Sequence, residues 1–349
     1  MRFQSPPLHR AVRWVRGQAN KVRGALSVNN PDLAGYSTDM LAEELARRIE
    51  TLPGNPLHDT FYRHGFHLLR KHFYLPIPDD TDGLDDFWKQ PSALPGLNMN
   101  DTAALELMER IAPPYLAEFR ERFPIQQPAV FSGFWLINGG YMAVDAHILY
   151  ALVRHHKPRR IIEVGAGNST LVTTVALERN RGETGRDTHM VSIDPYPWDL
   201  FKQPYPFLSE MIMKKVQDVP LTLFEELESG DILFIDSSHV IRSGNDVHYE
   251  YLEIIPRLKP GVMVHVHDIS LPMPYPRAYY DGQLYWNEQY LLQAFLAFNS
   301  RFEVLWPGNY MMLKYPDRMV STFPEIATMR ETYPSSEPTA FWIRARATP

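Results

Sequence analysis

Apolar positions along the chain change rhythm near residue 130. Before it, Leu41 to Ile49, Phe61 to His72 and Ala103 to Phe123 repeat apolar residues at three- and four-residue steps, the signature of helices with one buried stripe. Pro76 to Pro95 is polar and proline-rich and should be irregular. After Pro128, short β-branched or apolar runs alternate with helical stretches, as in a parallel sheet covered on both faces. The expected strands are Arg160 to Val164, Met190 to Asp194, Met213 to Val216, Ile232 to Asp236 and Val262 to His267, each about one β–α unit after the last. A helix near Glu288 to Phe298 follows, then strands at Phe302 to Leu305 and Met311 to Lys314. These last two lie too close together for a helical crossover, so five parallel strands should end in an antiparallel pair.

The first 30 residues stand apart. Arg2, Arg10, Arg13, Arg16, Lys21 and Arg23 occur with no acid before Asp32, and Leu8, Val12, Val15, Ala19, Val22 and Leu26 would give a helix a weak apolar stripe. Two readings stay open: a helix or partly ordered tail lying on its own protein, and a helix drawn to an anionic membrane surface. The chain thus divides into a basic segment, 1–30, a helical region, 31–130, and an α/β domain, 131–349.

Composition narrows the function. Of 349 residues, 44% are hydrophobic and 22% charged, and no apolar run approaches the roughly 20 residues of a spanning helix, so a soluble globular protein is expected. Lys and Arg number 35 against 41 Asp and Glu, the wrong balance for a protein that binds by neutralising many phosphates, so nucleic acid is not an expected partner. The absence of cysteine excludes disulfides, thiolate metal sites and cysteine nucleophiles. Residues 1–30 contain no apolar h-region of a secretory signal, so the expected location is the cytoplasm, with contact at the inner face of the membrane if the basic helix docks there.

The chemistry concentrates at the strand ends. Ile161-Ile162-Glu163-Val164-Gly165-Ala166-Gly167-Asn168-Ser169-Thr170 is an apolar strand running through a glycine turn into a helix. Glu163 precedes the glycines, and Ser169 and Thr170 stand where a dinucleotide fingerprint would have its third glycine. An acid there repels a pyrophosphate but suits a cationic amino-acid ligand. Asp194, ending the second strand, is placed to accept ribose hydroxyls, and Asp218, after the third, to receive an adenine amino group; both could instead cap a helix or a turn. The pocket fits S-adenosyl-L-methionine.

Residues 140–315 resemble class I S-adenosylmethionine-dependent methyltransferases. The stretches IIEVGAGNST, GDILFIDSSHVIRSGNDVHYEYLEIIPRLKPGVMVHVHDI and WNEQYLLQAFL are similar to a bacterial branch found among polysaccharide and glycan genes. The resemblance implies a Rossmann-like seven-stranded sheet and cofactor roles for Glu163, Gly165, Gly167, Ser169 and Asp194.

Asp236 and Asp268 close the fourth and fifth strands. Neighbouring parallel strands lie about 4.8 Å apart, so two carboxylates meet there if these strands are adjacent, and a divalent cation, Mg2+ above all, would relieve their repulsion. Metal-dependent sugar O-methyltransferases, which this sequence resembles, hold a metal with acids at these positions. They often place a second acid where His267 stands here, and an aspartate near Ser238. His239 is therefore the expected general base or metal ligand. Alternation places His265 and His267 on the face opposite Asp268, with His265 buried and hydrogen-bonded. The aromatic loop Pro272 to Tyr285 reads either as a lid over the acceptor or as core packing.

These features predict an O-methyltransferase acting on a hydroxyl of a sugar or glycan intermediate. The rivals are a scaffold protein that binds the cofactor without chemistry, an NAD-dependent oxidoreductase, disfavoured by Glu163, and, further off, a facial-triad iron oxygenase.

Overall fold

The computed structural model describes residues 35–53, 57–72, 74–77, 84–129 and 133–347. The described residues before Asp86 form one compact unit and those from Asp86 onward another. The expected basic helix over residues 1–30 lies outside the described residues. Among the described residues, no helix is long and apolar enough to cross a membrane.

The first unit holds α1 (Thr38–Glu50), N-capped by Ser37, whose hydroxyl accepts from the Met40 N–H, and the short α2 (His58–Arg63). The helix expected over Phe61 to His72 stops at Arg63, because Gly65 turns the chain at φ +85°.

The second unit begins with α3 (Asp101–Glu106) and α4 (Pro113–Arg122), joined by a π-helical turn at Leu107–Ile111. Ala104, Leu107, Met108, Leu116 and Phe119 are buried in the same core as Ile161 and Phe234 of the sheet. The expected boundary near residue 130 therefore moves to 85/86: the stripe on these helices is the sheet's own cover.

Next come α5 (Asp145–His156), β1 (Arg160–Val164), α6 (Asn168–Thr184), β2 (His189–Ile193), β3 (Glu210–Ile212), α7 (Leu221–Glu225), β4 (Ile232–Ile235), α8 (Asp246–Tyr249), β5 (Met263–Val266), α9 (Arg277–Asp281), α10 (Glu288–Leu296) and β6 (Phe302–Pro307). The last elements are α11 (Gly308–Lys314), α12 (Pro316–Thr322), α13 (Glu325–Thr332) and β7 (Phe341–Ala345). The seven strands form one sheet in the order β3-β2-β1-β4-β5-β7-β6, with β7 antiparallel to both its neighbours. This is the seven-stranded Rossmann-like α/β sheet implied by the resemblance.

Two strand positions need correction. The third strand lies at Glu210–Ile212, not at Met213 to Val216, and Val216 opens a helical turn. Met311 to Lys314 is not a strand but part of α11, and the seventh strand is the later Phe341–Ala345. The terminal antiparallel pair exists, but three helices separate its members.

The strands bury both faces. Ile161, Phe234 and Met263 join one apolar core, and Ile162, Val164, Leu233, Ile235, Val264 and Val266 join the other. A parallel sheet covered on both faces leaves its carboxyl-terminal edge as the place for a ligand.

Candidate active site

The glycine turn after β1 is fixed by steric necessity at its first position. Gly165 has φ +89°, and a Cβ there would lie 2.0 Å from the carbonyl oxygen of Asp236. The turn is tied to β2: Gly165 N–H donates to Ile193 O at 2.9 Å, and Ala166 N–H to Asp194 Oδ2 at 3.1 Å. Asp194 Oδ1 accepts from Tyr196 N–H at 2.7 Å, so each carboxylate oxygen holds one backbone donor and keeps capacity for another. Gly167 N–H donates to Thr170 Oγ1 at 2.9 Å, where α6 begins.

Glu163 and Ser169, the residues expected to meet the cofactor, hydrogen-bond to each other. Both side chains are buried, and Ser169 Oγ donates to Glu163 Oε1 at 2.8 Å. Thr170 Oγ1 and Ser192 Oγ donate to Oε2 at 2.7 and 2.5 Å. Burial pushes the Glu163 carboxyl up to about 7, although the three hydroxyls favour its charged form. In this state Glu163 organises the turn from within. Asp218 lies exposed in the helical turn Val216–Asp218, and among the described residues no hydrogen bond ties its carboxylate to the glycine turn.

Strands β4 and β5 are adjacent, and this brings Asp236 and Asp268 to one place. His239 stands between them, its Nε2 3.3 Å from Asp236 Oδ1 and 3.4 Å from Asp268 Oδ2. One ligand atom from each of these three residues lies within 4.8 Å of the others, a donor set of two carboxylates and an imidazole that suits a divalent cation. On the far side of the ring, Nδ1 is 2.9 Å from Glu288 Oε2, and the Trp286 ring packs against the imidazole at 4.3 Å. Burial by itself would lower the His239 pKa; the carboxylates of Asp236, Glu288 and Asp268 outweigh it and raise the pKa well above the usual value. The Glu288 contact at Nδ1 leaves Nε2 directed at the two carboxylates.

Glu288 carried no signal in the sequence beyond opening a helix. It is fully buried, and its Oε1 accepts from the Tyr251 hydroxyl at 3.1 Å. The two strand histidines also differ from expectation. His267 Nε2 lies 3.6 Å from Asp268 Oδ1, not on the opposite side, because Asp268 leaves strand geometry at φ +56° and the alternation ends with β5. His265 is buried and stacked on Phe234 at 4.1 Å, but among the described residues neither ring nitrogen has a hydrogen-bond partner, and burial pushes its pKa well below the usual value.

A cavity of about 760 Å³ opens beside Asp268. Met273, Pro274, Pro276 and Tyr279 of the aromatic loop line it, so that loop forms a wall of the site, while Tyr279 also packs against Trp286 at 4.7 Å. Other lining residues come from segments without any motif: Asp145 at the head of α5, Asn309 in α11 and Thr339 before β7. Asp145 Oδ1 accepts from Ala340 N–H and Oδ2 from Thr339 N–H, both at 3.0 Å, and burial pushes its carboxyl up to about 6. Thr339 Oγ1 reaches Asp268 Oδ1 at 3.3 Å and links these residues to the cluster of Asp236, His239 and Asp268.

Residues 162–269 match a family model described as a methyltransferase domain. An uncharacterized protein of Archaeoglobus fulgidus is 35% identical over 97 residues, which cover 27% of this chain and 42% of that protein. The chain therefore spans less than half the length of this relative. The family match runs from β1 to just past Asp268, through the glycine turn, Asp194, Asp236 and His239. Together with the strand order, it supports a methyltransferase domain on a Rossmann-like α/β sheet, the fold of class I S-adenosylmethionine-dependent enzymes.

Proposed function

We propose that this domain transfers a methyl group from S-adenosylmethionine to a hydroxyl of a sugar or glycan intermediate, assisted by a divalent cation such as Mg2+ held by Asp236, His239 and Asp268. One observation carries the reading: a two-carboxylate, one-imidazole cluster sits at adjacent strand ends, sharing Asp236 with the glycine turn and Asp268 with the cavity. The donors fit a cation, since His239 is oriented by Glu288 so that Nε2 faces the two carboxylates. The turn fits the cofactor, since Gly165 lets it pack closely on Asp236 at the end of β4 and Asp194 keeps acceptor capacity for ribose hydroxyls. We assign the adenine contact to Asp218 on its place after the third strand.

When bound, the cation would lower the pKa of the acceptor hydroxyl and the sulfonium would supply an electrophilic methyl. The chain's residues do the rest. Asp236, His239 and Asp268 fix the position of the acceptor oxygen, and the cavity wall holds the acceptor's body so that oxygen and methyl meet in line. The new oxygen–carbon bond forms as the carbon–sulfur bond breaks, its electron pair goes to sulfur, and the hydroxyl proton leaves through the carboxylates to water.

A second reading uses the same geometry without metal. The 2.9 Å contact between Glu288 and His239 Nδ1 would stabilise an imidazolium and make Nε2 a base. Chelation decides between the two. Under the metal reading, labelled methyl transfer to fractionated cell glycans falls to background with chelator and returns with Mg2+, and Asp236→Ala abolishes turnover while S-adenosylhomocysteine affinity stays within about tenfold. Chelator-insensitive transfer supports the base reading, turnover unchanged in Asp236→Ala refutes the metal reading, and turnover unchanged in His239→Ala refutes both.

A further inference from the structure

The unit before Asp86 leaves apolar side chains uncovered. Among its described residues, neither α1 nor α2 has a buried side chain. Tyr62, Phe66, Leu69 and Tyr74 are 49–80% exposed, and Ile77 follows at 37%. Single exposed apolar residues are ordinary, but a succession of them in one short segment marks a surface that meets something.

This segment is folded, not extended. Gly65 reverses the chain at φ +85°, Phe66 N–H donates to Phe61 O at 3.0 Å, and the His67 ring returns to 5.6 Å from that of Tyr62. Arg70 Nη2 then donates to Ile49 O and Leu52 O, both at 2.6 Å, and so satisfies carbonyls at the carboxyl-terminal end of α1. The backbone is held by these bonds while the apolar side chains stay exposed.

The charges indicate what the surface meets. From Thr60 to Pro78 the chain carries Arg63, Arg70 and Lys71 with His64, His67 and His72, and no acid; Asp59 and Asp79 bound the stretch. Aromatic and aliphatic side chains interleaved with cations suit the bilayer interface, where rings sit at headgroup depth and Lys and Arg meet lipid phosphates. A nucleic acid would use the cations and rings but gain nothing from Leu69 and Ile77, and the net charge of -6 opposes it.

We infer that residues 60–78 form a docking surface for anionic phospholipid, with Phe66, Leu69 and Tyr74 entering the headgroup layer and the basic side chains of the segment meeting the phosphates. Arg70 holds the segment in shape against α1. The inference is independent of the methyltransferase reading, and it places the lipid contact in a segment other than the basic residues 1–30.

The test is sedimentation of the full chain with vesicles of phosphatidylcholine and with vesicles of an equal mixture of phosphatidylcholine and phosphatidylglycerol. The anionic vesicles should bind at least about tenfold more tightly, and added salt should weaken that binding. Two variants, Phe66→Ala with Leu69→Ala and Arg63→Glu with Lys71→Glu, should each weaken it about tenfold or more with residues 1–30 intact. Both pairs are surface substitutions, so thermal unfolding by circular dichroism should match that of the unmodified protein. No binding to the anionic vesicles overturns the inference. Undiminished binding by both variants also overturns it and assigns the lipid contact to residues 1–30. A dimer in analytical ultracentrifugation that the Phe66 and Leu69 variant abolishes, without lipid binding, overturns it in favour of a second copy of this chain.

Discussion

Glu288 Oε2 lies 2.9 Å from His239 Nδ1, a buried contact between the head of α10 and the loop after β4. It fixes the ring's orientation and leaves Nε2 directed at Asp236 and Asp268. Outer partners of this kind typically account for 10–100-fold in metal affinity, roughly. Glu288→Gln should therefore raise the Mg2+ concentration needed for half-maximal methyl transfer by about that factor and leave S-adenosylhomocysteine binding unchanged. A metal titration curve identical to that of the unmodified protein would remove Glu288 from the site.

Gly165 tolerates no side chain. Its φ of +89° and the 2.0 Å approach of a Cβ to Asp236 O require the backbone of the turn or of β4 to move in Gly165→Ala. We expect a loss of about 2–4 kcal/mol in denaturant unfolding, with S-adenosylhomocysteine binding lost at temperatures where the variant is still folded. Retained affinity would mean that the cofactor does not depend on this turn.

Glu163 predicts a pH dependence. Its carboxyl moves from the usual 4.5 to about 7 on folding, because burial disfavours the anion. Between those values the native state holds a proton that the unfolded chain has released, so this group's contribution to stability is fully present below pH 4.5 and is lost as pH rises towards 7, at no more than about 1.4 kcal/mol per pH unit. Glu163→Gln abolishes that slope. Urea unfolding of both proteins at pH 5 and pH 7 measures it, and parallel changes in the two would show that the carboxyl is not raised.

Trp342 in β7 is fully buried and packs on His265 with ring centres 4.8 Å apart. Trp342→Ala should cost about 3–5 kcal/mol by loss of buried surface and the cavity left behind. Because β7 lies between β5 and β6, the loss should appear in one cooperative transition by circular dichroism and fluorescence alike.

The glycine turn and the two strand-end aspartates were legible in the sequence because apolar strands that end in turn residues are local signals. The seventh strand was not. Met311 to Lys314 and Phe341 to Ala345 are both short apolar runs, and periodicity does not separate strand from helix over so few residues. His267 was assigned to the wrong face because alternation holds only while the backbone stays extended, and Asp268 departs from it. Glu288, Asp145 and Asn309 reach the site by tertiary return from segments with no motif of their own. For Ala104, Leu107 and Phe119, periodicity shows that a helix hides one face but not what covers it.

The insertion of β7 between β5 and β6 bears on synthesis. A nascent polypeptide emerging from the ribosome can pair β1 to β5 as they appear, but β6 then has no neighbour and the rim of β5 stays open until residues 341–345 arrive. Thr339 and Ala340, which grip Asp145, arrive only just ahead of that strand. The cavity beside Asp268 is thus among the last parts of the molecule to assemble, and a chain stalled before this point would expose a sticky sheet margin for chaperones to shield.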